Sequence, residues 1–366
     1  MKIILFNIIL FYSTLGFTQE NKRPQTPVEP FPYISEAFQF DNEEANITLH
    51  GTLTIPEGDG PFPAAILISG SGPSDRDQTI LDHKNFLVIA DHLTRQGIAV
   101  LRYDDRGVGE SKGNHYQATS MDLANDTQAA FLALAKQGKI DAAHIGLIGH
   151  SEGGMIAPIV ASRVPTIDFV VLLAGPGVPI DDLMILQNRK YYQSLGLGED
   201  ELDSNEKFNR SLYSLLDTDQ PISELYDTLL PMIHGYYNSI PEENQNLFGP
   251  SKEVYYMSIV GTLASPWYSY FLKFNPIPYL EKTKCPVLAV NGNKDIQVIA
   301  FQNLGGIEEA LSISGNEDFT IKEYSGLNHL FQKCETCTVK EYGELEETFS
   351  KKVLDDMTKW ILERVD

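Results

Sequence analysis

The chain has 366 residues and carries 50 acidic against 28 basic side chains, a formal net charge of −22. So acidic a balance offers no basic footprint for nucleic acid and disfavours anionic polymers as substrates. Three cysteines are too few for a disulfide framework.

Met1-Lys2 is followed by an apolar run from Ile3 to Phe17 with polar interruptions only at Asn7, Tyr12, Ser13 and Thr14. With small residues at Gly16 and Thr18, residues 1–18 read as an export signal cleaved before Gln19. The run is short for a membrane span, no other segment offers about 20 uninterrupted apolar residues, and no cysteine follows it to take a lipid. The expectation is an exported, soluble protein, periplasmic or secreted, without stable membrane insertion. Loss of the single positive charge of Lys2 would take the net charge from −22 to −23. Residues 19–34 hold Pro24, Pro27, Pro30 and Pro32 and read as an extended tether.

Residues 35–60 give two strand-like runs, the clearer over 47–55, expected to begin a sheet as an antiparallel edge pair. Apolar strands are predicted next at 64–68, 98–102, 144–148, 169–173, 286–290 and 319–324. Helical patterns separate them, as over 121–136, where Leu123, Thr127, Ala130, Phe131 and Leu134 share a face. Alternating strands and helices with buried strand runs imply an α/β fold, a mainly parallel sheet covered on both sides. The alternation fails over 177–281, between the sixth and seventh predicted strands. Helical patterning there, at 183–195 and 202–216, reads as a lid that splits the core into 35–176 and 282–366. Most of its many aromatics are expected in the lid's own core, and a minority as an apolar wall of the site.

Gly149-His150-Ser151-Glu152-Gly153 ends the strand 144–148 and opens a helix-compatible stretch. This is the context of a nucleophile elbow: a sharp strand-to-helix turn that lifts the serine hydroxyl above the sheet and leaves the Glu152 N–H free to hold an oxyanion. A serine needs a base, and the base an orienting acid. In an α/β-hydrolase these follow in the order Ser, Asp or Glu, His. Asp295 ends the polar turn after strand 286–290, and His329 sits in the turn after strand 319–324, so Ser151, Asp295 and His329 form the expected triad. Separately, each has a plain reading as a turn serine, a capping aspartate or a loop histidine. His150 is read as packing or hydrogen-bonding support. The second oxyanion donor is expected from Ser69-Gly70-Ser71-Gly72-Pro73 after strand 64–68, the Ser71 amide first and Gly70 as the fallback. Asp75, Arg76, Asp77, Asp104, Asp105 and Arg106 are read as arginine forks between carboxylates that hold the oxyanion loop rigid, with direct substrate recognition as the alternative.

These residues resemble an established set. Ser69-Gly70-Ser71-Gly72-Pro73 with Asp75-Arg76-Asp77, Leu101 to Ser111, the elbow, Asn291-Gly292 with Lys294-Asp295, and Leu327 to Phe331 together resemble α/β-hydrolases of the S33-type serine aminopeptidase and EstD-like carboxylesterase group. The resemblance runs from about residue 60 to the C-terminus. It implies a serine hydrolase of carboxylic esters working through an acyl-enzyme, on a small ester or peptide-like substrate, with no metal or organic cofactor. An aminopeptidase using the same triad is the alternative. It would need lid carboxylates aimed at a substrate amine, and Glu199, Asp200, Glu201, Glu242 and Glu243 are the candidates. A non-catalytic binding protein of this fold has no need of three residues in order. Cys334 and Cys337 are spaced for one small bridge in an oxidising compartment. They lack the second cysteine or histidine pair of a zinc site, and Cys285 reads as a buried thiol. The oligomeric state is left open.

Overall fold

The structure, a computed structural model, describes residues 23–216 and 222–365. The export signal read over 1–18 and residues 19–22 of the tether lie outside them. Among the described residues, eight strands form one sheet: β1 (Tyr33–Asn42), β2 (Ile47–Pro56), β3 (Phe62–Ile68), β4 (Ala99–Tyr103), β5 (Ile140–His150), β6 (Val170–Leu173), β7 (Val287–Gly292) and β8 (Phe319–Tyr324). Their spatial order is β1-β2-β4-β3-β5-β6-β7-β8. The pairs β1/β2 and β2/β4 are antiparallel and the others parallel. The antiparallel edge pair and the mainly parallel sheet are thus as expected from the sequence.

Burial on both faces explains the unbroken apolar runs. Ala64 to Ile66, Ala99 to Leu101 and Val170 to Leu173 have no exposed surface, because helices cover each side of a parallel sheet. Helix α1 (Asn85–Arg95) packs against α11 (Lys351–Val365), and α2 (Ser120–Leu134) against α3 (Gly153–Ala161). Thr119 and Asp122 close a reciprocal capping box that fixes the start of α2. β5 starts earlier than its apolar run suggests, since Ile140 already pairs with Phe62 before the register shifts at Ala64 and Ile145.

Register brings the strand ends together. Ile68 pairs with Gly149, Gly149 with Leu172, and Leu172 with Ala289, so the loops after β3, β5 and β7 leave from one edge. That is where an open α/β sheet places its site. Between β6 and β7 the chain forms α4 (Ile180–Ser194), α5 (Glu199–Leu216), α6 (Tyr226–Ser239), α7 (Lys252–Leu263), α8 (Pro266–Leu272) and α9 (Ile277–Leu280). Their shared interior is aromatic: Phe208 stacks on Tyr236 at 4.1 Å and Tyr192 on Phe248 at 4.5 Å between ring centroids. Helix α10 (Ala300–Ile313) joins β7 to β8.

The described part of the proline-rich segment does not lead away from the body. The Arg23 guanidinium donates to the Leu81 and Gly343 carbonyls at 2.9 Å and also to that of Leu345. Gln25 Nε2 donates to the Phe349 carbonyl at 2.7 Å. Cys334 and Cys337 form a disulfide, and Cys285 is a half-buried free thiol.

Candidate active site

Ser151 stands between β5 and α3 with φ at +55°, a left-handed conformation that non-glycine residues rarely adopt. Its N–H donates to the Leu173 carbonyl at 2.9 Å, which ties the turn to the end of β6. A Cβ at Gly149 would lie 2.0 Å from the Gly153 carbonyl oxygen, and one at Gly153 would lie 2.2 Å from that of Ile68. Backbone therefore meets backbone on both sides of the serine, and the two glycines are steric requirements. Glu152 opens α3, where main-chain N–H groups have no intrahelical acceptor.

His329 and Asp295 are both buried, and His329 Nδ1 lies 2.7 Å from Asp295 Oδ2. A carboxylate only accepts, so Nδ1 carries the proton and Nε2 is left as the basic atom. The other carboxylate oxygen accepts from the Gln297 and Val298 N–H groups at 2.7 and 3.0 Å, which fixes the acid. The histidine turn is held by a residue from its own motif: Asn328 Oδ1 accepts from the N–H groups of Leu330 at 3.0 Å and Gln332 at 2.9 Å. His150 supports it from below. Gln78 Nε2 lies 3.0 Å from His150 Nδ1, and His150 Nε2 lies 3.0 Å from the His329 carbonyl. Gln78 donates there, so His150 Nε2–H donates to His329. Burial brings the His150 pKa down to about 3, which keeps this link neutral.

The charged motifs follow the sequence reading in part. Arg76 forks onto Asp104, with Nε at 3.1 Å and Nη2 at 2.5 Å. Asp77 is paired with Arg102 and Lys84. Asp75 Oδ1 accepts from the Asp77 and Thr79 N–H groups at 3.1 and 2.9 Å and meets no arginine fork. Arg106 turns to Asp126 on α2, at 2.7 and 2.8 Å, so it does not brace Asp105. The chain leaves the strand at Tyr103 and turns over 105–108, where the Val108 N–H donates to the Asp105 carbonyl at 2.9 Å, so neighbours in sequence meet different partners. Asp105 instead accepts from Ser69 Oγ at 2.8 Å and Ser74 N–H at 2.9 Å, spanning both ends of the glycine loop. Burial without an arginine pushes its carboxyl up to about 7.

These loops enclose a cavity of about 270 Å³ that contains Ser151, His329, Gly70, Ser71 and Glu152 in its wall. The lid contributes Leu183, Met184, Gln187, Trp267 and Phe271, a minority of its side chains, while Ser74, Gln78, Thr79 and Gln297 form a polar, uncharged side. A Cβ at Gly70 would lie 3.1 Å from the Ser151 Cβ, so the glycine loop presses directly on the serine. Glu152 is the one acid among the described lining residues, and its carboxyl is occupied by Ser120, Trp267 and Ser71. The lid acids Glu199, Asp200, Glu201, Glu242 and Glu243 are not part of this wall. Glu199 pairs with Arg189, and Glu201 accepts from Asn244 at 2.6 Å. Sequence reasoning missed Gln78 and the Glu152 side chain, and left open which lid aromatics, Trp267 among them, form the wall. It also missed Tyr342, which is fully buried in the cavity wall and receives Gln297 Nε2 on its hydroxyl at 3.2 Å.

Sheet order, lid position and a serine on a strained strand-to-helix turn define an α/β-hydrolase. Residues 82–197 match the serine aminopeptidase S33 family of hydrolases. Over 327 residues the chain is 30% identical to esterase EstD of Thermotoga maritima, covering 87% of this chain and 68% of that one. The chain belongs to this S33-type, EstD-like family of hydrolases. Solved structures share the fold at lower identity. An esterase of Pyrococcus furiosus superposes with a TM-score of 0.53 at 16% identity, covering 90% of each chain. The α/β-hydrolase GrgF of Penicillium sp. gives 0.51 at 17% identity over 90% of this chain and 99% of that one.

Proposed function

We propose that this enzyme, a hydrolase acting on esters, is a carboxylesterase whose acyl-enzyme forms on Ser151. His329 Nε2 takes the hydroxyl proton as Ser151 attacks the carbonyl, while Asp295 fixes the imidazole tautomer and stabilises its cation. The Glu152 and Ser71 amides receive the oxyanion, with the Gly70 amide beside them. His329 then protonates the departing alkoxide, and water repeats the cycle to release the acid.

The observation that carries this reading is the buried His329–Asp295 pair, whose His329 shares one cavity wall with Ser151 under apolar lid side chains. Esterase over aminopeptidase is supported by the state of Glu152. Peptidase action on a free amine calls for a carboxylate open to the substrate, and the one acid in the described wall already accepts three donors. The test uses purified residues 19–366 and a Ser151→Ala variant on short and long acyl p-nitrophenyl esters and on aminoacyl p-nitroanilides. Serine-dependent ester cleavage with inert anilides is expected. Anilide cleavage at comparable rates would overturn the esterase reading, and full activity in Ser151→Ala would overturn the nucleophile.

Export is part of the same proposal. The basic and apolar start of the sequence supports it, and a disulfide between Cys334 and Cys337 suits an oxidising compartment. Expressed in a bacterium with its full sequence, the protein should be recovered outside the cytoplasm with Gln19 as its first residue. An intact Met1 terminus on cytoplasmic protein would contradict this.

A further inference from the structure

The Glu152 carboxyl is sealed from solvent, at 1% exposure, beside the candidate nucleophile. Ser120 Oγ donates to Oε1 at 2.5 Å. Trp267 Nε1 spans both oxygens at 2.9 and 3.1 Å, and the Ser71 hydroxyl binds the same group. These three donors come from three separate elements: α2, the lid helix α8 and the glycine loop after β3. None of the three is a cation, and burial accordingly raises the carboxyl's pKa. An acid held this way costs free energy that a leucine of similar volume would avoid.

We infer that the Glu152 side chain is a positioning residue that locks the lid to the oxyanion loop. The inference rests on the reading of Ser151 as nucleophile. An indole N–H can only donate, and the half-buried Trp267 finds its acceptor in the buried Glu152 carboxyl. Trp267 also stacks on Phe271 at 5.1 Å, with 17° between the rings, and both rings form cavity wall. Where the indole is tied therefore sets where the wall stands. The Ser71 hydroxyl is a partner of the same carboxyl, so the loop bearing the Ser71 amide keeps its distance from the start of α3. One junction holds both the acyl wall and the oxyanion donors in register with Ser151.

Substitutions separate this role from plain packing. In Glu152→Gln the amide oxygen accepts from Trp267 and Ser120, and the Ser71 hydroxyl rotates to accept from the amide nitrogen. This variant should hold kcat within about threefold. Glu152→Leu strands all three donors and should lower kcat at least about tenfold, the scale of a misplaced catalytic group, and also raise KM for long acyl esters. Trp267 and Trp360 are the two tryptophans, so in a Trp360→Phe background the emission of Trp267 reports the bond without any turnover. Emission should shift in Glu152→Leu and stay in place in Glu152→Gln.

Should Glu152→Leu fail to fold, Ser71→Ala and Trp267→Phe keep every main-chain group and address the same junction. Coupled residues give a double-variant loss in kcat/KM that differs from the product of the single losses. A multiplicative loss, or a folded Glu152→Leu with parental kcat, acyl preference and emission, would overturn the inference. Ser151→Ala assayed alongside separates the two levels: activity there sinks the nucleophile reading, whereas an inactive Ser151→Ala with an indifferent Glu152→Leu sinks only the junction.

Discussion

At the scale of single residues, the site rests on buried groups whose protonation is set by their surroundings. Asp105 bridges Ser69 and Ser74 without an arginine partner, and burial lifts its carboxyl from an ordinary 3.8 to about 7. Between those values the folded protein binds a proton that the unfolded chain does not. Asp105 therefore adds stability as pH falls from 7 toward 4 and withdraws it as pH rises. His83, His115 and His150 run the other way, since burial lowers them to about 4, 4 and 3. They stay neutral in the fold while the unfolded chain takes up protons below about 6.5, so their contribution is lost on acidification. Asp105→Asn removes the opposing term, and its Tm should fall more steeply than the parent's between pH 7 and 4. Parallel Tm curves would contradict the shifted Asp105. The strand-end positions of Ser151, Asp295 and His329 were legible in the sequence because each ends or follows an apolar strand run, in the chain order of the α/β-hydrolase fold. Trp267 was not, because the acid it binds lies 115 positions away and no local pattern announces the contact. The partner of Arg106 was not legible either, because its fork goes to Asp126, 20 positions away on α2.

At the scale of elements, the elbow is the least forgiving part of the chain. Gly149→Ala would push a methyl to 2.0 Å from a main-chain oxygen that cannot move without shifting α3. A loss of about 3 kcal/mol or more is expected from such overpacking, read from urea unfolding. Gly261→Ala is the control. It lies inside α7 with nothing within 4 Å of the added carbon, and the helix should gain about 0.5–1 kcal/mol. Equal stability of the two variants would mean the elbow is not built as described. The strands were legible because burial on both faces makes them short unbroken apolar runs. The lid was legible only as an absence of strands. Its helices bury aromatics against one another and against the cavity alike, and periodicity does not say which neighbour a buried ring meets.

At the scale of the whole molecule, the sheet order does the assembling. Residues 71, 151, 295 and 329 are scattered along the chain, yet β3, β5 and β7 end at the same edge and bring the glycine loop, the serine and the acid's turn together. The lid then lines this edge with Leu183, Met184, Trp267 and Phe271, beside a space of about 270 Å³. The resemblance to S33-type hydrolases conveyed this architecture early, through motifs that fall on the strand ends. What it did not convey is how the lid is tied down, since that depends on side chains outside those motifs. Everything above turns on Ser151 as the activated nucleophile. The most direct test is labelling with a fluorophosphonate followed by peptide mass analysis. One adduct per chain is expected on the peptide holding Ser151, and none in Ser151→Ala. An ester-hydrolysing protein that takes no label, or takes it at another residue, would contradict it.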